Sequence, residues 1–236
     1  MELRFVDWKL YARTDRLFVK SFCDERASRF LVVCDDSESM RYPKDGPMKI
    51  QLAGELALGL AFLAVRRQKD ALHLTALSQV SGDDLSESQP LGGIFVGIER
   101  ILNEAKSSAT SAPLLESLSN LDLRYPTTII VISDLYEQPG EVLNWSLRMR
   151  HRGHECWFLQ TLSREEIALP FESLRNFVDV ETGHKLQLDP RAIRSHYSRA
   201  LHDHISGLKA LAAHGRYALG IVGQDPAVIL KRFLTD

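Results

Sequence analysis

Apolar and polar positions alternate along this chain in blocks, short apolar runs being separated by longer amphipathic stretches. RLFVKSF at 16–22 alternates with period two, and RFLVVCD at 29–35 is a continuous run of the kind buried on both faces of a sheet. A long helix is predicted over about 47–67, opened by Pro47 and closed by the basic RRQK. ALHLTALSQ at 71–79 predicts a strand, SGDDLSESQP a polar loop, and the stretch at about 92–106 a helix. The small, polar KSSATSAP at 106–113 leads into a short helix at about 113–120. TTIIVISD at 127–134 follows as the clearest buried strand, then a helix over about 139–151 and the strand HECWFLQTL at 154–162.

NFVDVETGHKLQLD at 176–189 changes the pattern, with two alternating strands around Glu181, Thr182 and Gly183 that predict a hairpin. A helix over about 190–214, the strand RYALGIV at 216–222 and a last helix after Pro226 restore the alternation. Strands alternating with helices predict an α/β fold with a mostly parallel central sheet and helices on both faces. The division expected is a leader strand segment at 1–24 and one domain at 25–236, interrupted by a hairpin insertion at about 171–189.

Composition narrows the function classes. A chain of 236 residues, 44% hydrophobic and 25% charged, has the profile of a compact soluble protein. A formal charge of -2 gives no basic excess for nucleic acid. Cys23, Cys34 and Cys156 are odd in number and far apart, which fits a reducing cytoplasm better than a disulfide framework, and no C-x-x-C pair offers a thiolate zinc site. MELRFVDWKL carries no apolar core of a secretory signal. LAGELALGLAFLAV is too short for a membrane span, contains Glu55, and reads as a buried helix.

Chemistry gathers at two strand ends. In an open parallel sheet the ligand crevice lies beyond the carboxyl ends of the strands, where strand order reverses. LVVC ends at Asp35 and VIS ends at Asp134, so both acids are expected to face one crevice. Asp35, Ser37, Ser39 and Asp134 are hard oxygen ligands suited to magnesium, with manganese as a substitute, and a hydroxyl of SSATS would complete the set. Asp and Ser after a strand are also ordinary turn and cap residues. The D-x-S-x-S spacing together with a second strand ending in Asp134 favours the metal reading. Asp36 and Glu38, between the ligands, read as solvated charge. No G-x-S-x-G elbow, phosphate loop or suitably placed base supports a nucleophilic hydrolase or a nucleotide site. His151 and His154 read as a solvated helix end, and His202 and His204 do not share a helix face.

The D-x-S-x-S spacing, a loop threonine and the later Asp134 resemble the metal-ion-dependent adhesion site (MIDAS) of von Willebrand factor A (vWA) domains. VDWKLYARTDRLFVKSF, CDDSESM, GGIFVGIERIL, VISDL, VDVETG and the tail from DPRAIRSHY together resemble the bacterial domain-of-unknown-function 58 family over nearly the whole chain. The resemblance implies a Rossmann-like sheet of order 3-2-1-4-5-6. Ser37 and Ser39 would bind the metal directly, and Asp35 and Asp134 largely through waters. The third loop would contribute Thr110, with Ser108 and Ser111 as alternatives. It further implies a non-enzymatic interaction module whose protein partner offers an acidic residue to the metal, and an accessory role beside a MoxR-type AAA+ ATPase in protein maturation. The alternatives are a metal-dependent hydrolase or phosphotransferase using the same acids, and a degenerate scaffold without metal.

Overall fold

RFLVVC forms an interior strand of a parallel sheet in a computed structural model that describes residues 28–66, 71–80, 89–103, 113–178 and 183–235. In chain order the strands are β1 (Arg29–Cys34), β2 (Ala71–Ala76), β3 (Thr128–Ser133), β4 (Glu155–Leu162), β5 (Arg175–Val178), β6 (Lys185–Leu188) and β7 (Arg216–Ile221). The helices are α1 (Lys49–Arg66), α2 (Leu91–Asn103), α3 (Leu114–Ser119), α4 (Pro139–His151), α5 (Arg164–Ala168), α6 (Pro190–Leu208) and α7 (Pro226–Thr235). Five strands pair in the order β2-β1-β3-β4-β7, every neighbour parallel, and β5 and β6 form a separate antiparallel pair.

The continuous apolar runs follow from burial on both faces. Val32, Cys34, Ile130 and Ile132 pack with α1, α2 and α7. Leu31, Val33, Ile129 and Val131 face the opposite layer, with α3, α4 and the end of α6. Successive strand residues point to opposite faces, so both parities had to be apolar. α1, the stretch read as a buried helix, buries Leu52, Leu56 and Leu60 against the sheet. Among the described residues no helix is long and apolar enough to cross a membrane.

Several boundaries differ from the sequence expectation for local reasons. The strand expected over 71–79 stops at Ala76, and Leu77–Gln79 turn as a 3-10 helix because Ser78 is drawn to Asp36. The helix expected from about 47 begins at Lys49, whose N–H donates to the Tyr42 carbonyl. α6 ends at Leu208 and gives way to a 3-10 turn at Lys209–Ala213. α5, not anticipated, starts in a capping box: Ser163 Oγ accepts the Glu166 N–H, and Glu166 accepts the Ser163 N–H.

The predicted hairpin is β5–β6, with Phe177 opposite Leu186 and Gly183 at φ +72° near its turn. The sheet order implied by the resemblance has six strands; the described residues hold five in this sheet, and the reversal at the first strand is common to both. β2 lies on one side of β1 and β3 on the other, which opens a crevice above the carboxyl ends of β1 and β3. The expected strand at 16–22, Cys23 and the loop residues Ser108, Thr110 and Ser111 lie outside the described residues.

Candidate metal centre

β1 and β3 end side by side, so the residues after them meet. The Asp35 N–H still donates to the Ile132 carbonyl at 2.8 Å, extending the ladder one residue past β1. The Asp35 carboxylate then turns back into the sheet end, where Oδ1 accepts the Ser37 N–H at 2.9 Å and Oδ2 accepts the Ser133 hydroxyl at 2.6 Å. The first of these bonds bends the chain tightly after the strand. It sends Ser37 and Ser39 to the same side, with their Oγ atoms 3.0 Å apart. Ser37–Met40 and Ser39–Tyr42 backbone bonds complete the turn.

Asp134 enters from β3. Its carbonyl accepts Gln160 Nε2 at 2.8 Å, and Gln160 Oε1 accepts the Tyr217 hydroxyl at 2.6 Å, so three neighbouring strands fix its backbone. Its Oδ2 accepts from the Lys49 ammonium at 2.9 Å. The same ammonium donates to Glu166 Oε1 at 2.5 Å and lies 5.5 Å from the Tyr136 ring centre. Oδ1 of Asp134 has no hydrogen-bond partner among the described residues. Leu135, buried at φ +52°, turns the chain out of the strand, and its carbonyl lies 2.7 Å from His204 Nε2.

Burial and the neighbouring Asp134 charge push the Asp35 carboxyl up to about 6, against the opposing hydrogen bonds from Ser133 and Ser37. Burial, aided by Asp35 and Asp134, likewise pushes Glu137 up to about 7. Uncompensated negative charge at the crevice is what a cation relieves. The Cys34 thiol is held up at about 12 by burial and by Asp35 and Asp36, which leaves it without nucleophilic character.

The residues present fit a hard divalent cation. Two adjacent ligands of an octahedral magnesium at about 2.1 Å stand about 3.0 Å apart, which is the Ser37–Ser39 hydroxyl separation. Two hydroxyls and two carboxylates form an all-oxygen set, and both Asp35 oxygens are already engaged by protein donors, which suits a water-mediated role. No group of three or more His, Cys, Asp or Glu suited to a metal occurs among the described residues, so the hydroxyls are essential to this reading. A bound cation would supply an electrophilic coordination position at the crevice mouth.

The structure brings Asp35, Ser37, Ser39 and Asp134 together; Thr110 lies outside the described residues. One expectation is corrected: Asp36 is not solvated charge but is buried, accepting both the N–H and the hydroxyl of Ser78 at 3.0 and 2.7 Å. Glu38 is partly exposed, beside Lys44. Sequence reasoning missed Lys49, Glu166 and His204. The S-x-x-E signature at Ser163–Glu166 could have located Glu166, whereas a lysine at a helix start carries no sign of burial. His154, read as part of a solvated helix end, is instead buried before β4 at the other end of the sheet, with Nδ1 unpartnered among the described residues.

The open parallel sheet and its strand-end crevice define an α/β protein with a crevice at the topological switch point. The chain belongs to the family described as "Protein of unknown function DUF58", which matches residues 2–206. Similar solved structures include an aerotolerance-related membrane protein from Bacteroides fragilis NCTC 9343 with multiple mutations to serines, 12% identical at a TM-score of 0.51, with 88% of this chain and 97% of that chain covered. The conserved hypothetical protein BatB from Bacteroides thetaiotaomicron is 14% identical at a TM-score of 0.53, with 88% and 96% covered. At these identities the likeness is one of fold. No curated protein matches the chain.

Proposed function

We propose that this protein is a non-enzymatic interaction module of the vWA type. Its site would capture an acidic residue of a protein partner through magnesium or manganese at Ser37, Ser39, Asp35 and Asp134. The observation that carries the reading is the hydroxyl pair at 3.0 Å, set by Asp35 at the switch point of the sheet. Neutral hydroxyls as direct ligands leave the cation's charge unspent, so an external carboxylate is its natural further ligand. The aerotolerance-related and BatB structures and the family membership are compatible with an accessory of a MoxR-type AAA+ ATPase acting in protein maturation in the cytoplasm, and that partner belongs to the proposal.

Calorimetric titration with magnesium and manganese, followed by capture of a candidate MoxR-type ATPase with and without EDTA, tests the reading. Saturable binding lost in Ser37→Ala and Asp35→Ala, with capture lost in parallel, is the expected result. Metal binding and capture that both survive these substitutions would sink it.

A second reading rests on Lys49. Its ammonium already satisfies Oδ2 of Asp134, so the crevice would keep its shape as a metal-free scaffold. Absence of any metal response in the unmodified protein, with partner capture intact in EDTA, would favour that alternative.

A further inference from the structure

Beside Ser39 the hairpin β5–β6 and α6 enclose a cavity of about 460 Å³. Five aromatic rings line it, those of Tyr42, Tyr136, Phe171, Phe177 and Tyr197, and one wall carries Glu165. The rings hold one another: Phe171 and Phe177 meet edge to face at 6.1 Å, and the Tyr197 hydroxyl donates to the Glu166 carbonyl at 2.6 Å. The charges in this wall are unevenly matched. Glu166 is saturated by Lys49 and by its own cap. Glu165 accepts the Tyr42 hydroxyl on Oε2 at 2.6 Å and has no ion-pair partner among the described residues.

Two guests would suit the volume, and the carboxylate separates them. A neutral aromatic or aliphatic side chain would desolvate Glu165 without giving it a counter-charge, which is unfavourable. A guanidinium stacks on ring faces and offers paired donors to a carboxylate, so it satisfies the rings and Glu165 together. The deep wall already shows this preference, since the Lys49 ammonium sits over the Tyr136 ring. Ser39 lines the same cavity, so a guest here is contiguous with the cation position.

We propose that this cavity receives an arginine side chain of the partner segment, a few residues from the acidic residue offered to the cation at Ser37 and Ser39. The acidic half rests on the reading of the previous subsection; the arginine half stands on the cavity alone. The partner recognised is therefore a peptide segment carrying both an acid and an arginine.

Two measurements separate the halves. In EDTA, argininamide and norleucinamide are titrated while aromatic proton shifts are followed by NMR. Saturable shifts with argininamide, at least tenfold tighter than with norleucinamide and abolished in Glu165→Gln, are expected; equal or tighter binding of norleucinamide overturns the arginine pocket. Capped pentapeptides pairing aspartate with arginine, norleucine or phenylalanine are then titrated with magnesium present and absent. The arginine peptide is expected to bind about tenfold tighter than the others, with Glu165→Gln erasing that preference in the tyrosine-lined cavity and Ser37→Ala erasing the magnesium dependence. A phenylalanine peptide that binds tightest, or an arginine preference unmoved by Glu165→Gln, overturns the proposal. An arginine preference that persists without any magnesium dependence leaves the pocket standing and removes the metal reading instead.

Discussion

Lys49 Nζ stands 2.9 Å from Oδ2 of Asp134, and the lysine side chain is only 1% exposed. Glu166 Oε1 meets the same ammonium at 2.5 Å, so one buried cation holds two acids from different strand ends of the sheet. Lys49→Met would leave both carboxylates without their cation. Losing one partner of a buried ion pair costs about 3–5 kcal/mol, and urea denaturation is expected to show a loss of that order. Magnesium binding to the folded variant should tighten, because the crevice gains one net negative charge. A loss well under 1 kcal/mol would mean that the pair does not hold the site together.

Ser37→Ala and Ser39→Ala are expected to leave stability in EDTA nearly unchanged while abolishing stabilisation by magnesium. A cation at tenfold its Kd adds about 1.4 kcal/mol to folding, or about 3–5 °C in a chain of this size. Thermal scans with and without magnesium read this directly. A shift of that size retained in both variants would place the cation elsewhere.

The raised Asp35 carboxyl sets a pH dependence whose sign is fixed. Its folded value of about 6 lies above the ordinary 3.8, so the folded state holds this proton more tightly than the unfolded chain does. Without metal, this group's contribution to stability is greatest below about pH 4 and is lost as pH rises towards 6. The loss is on the order of 3 kcal/mol. Magnesium, which favours the carboxylate, should oppose the loss and bind more tightly as pH rises through the same window. Asp35→Asn is expected to flatten this part of the curve, as read by urea midpoints from pH 4 to 7.

Ser78→Ala tests the corrected role of Asp36. The buried carboxylate would lose the hydroxyl at 2.7 Å and keep the Ser78 N–H at 3.0 Å. A destabilisation of about 1–3 kcal/mol is expected. A solvated Asp36 would leave the urea midpoint where it was.

Tyr217→Phe reaches Asp134 from a distance. It removes the 2.6 Å donor to Gln160, the residue whose amide holds the Asp134 carbonyl. The expected cost is about 1 kcal/mol in stability, with magnesium affinity falling a few fold because Asp134 is less firmly held. Calorimetry alongside denaturation separates the two effects, and an unchanged affinity would show that Gln160 keeps its orientation unaided.

By itself the sequence determined the main strands and helices and the place of the strand-end crevice. The continuous runs at β1 and β3 were legible because both strand faces are buried, and that leaves the same mark on every residue. D-x-S-x-S was legible because its geometry is local: the Asp35–Ser37 bond spans two residues and sets the hydroxyl pair directly. The hairpin showed through its own alternation and turn residues. Tertiary structure alone decided what surrounds that loop. Lys49, Asp134 and Glu166 are separated by 85 and 117 positions from lysine to each acid, and nothing in the neighbours of Lys49 announces an ion pair. Asp36 looked solvated because its partner Ser78 lies 42 positions away, in the 3-10 turn after β2. The aromatic cavity draws its rings from the turn after β1, the loop after β3, the hairpin and α6, so no single stretch of sequence encodes it. Local periodicity records which face of an element is buried; which charge meets which is settled only when the parallel strands pair and bring distant loops to one edge.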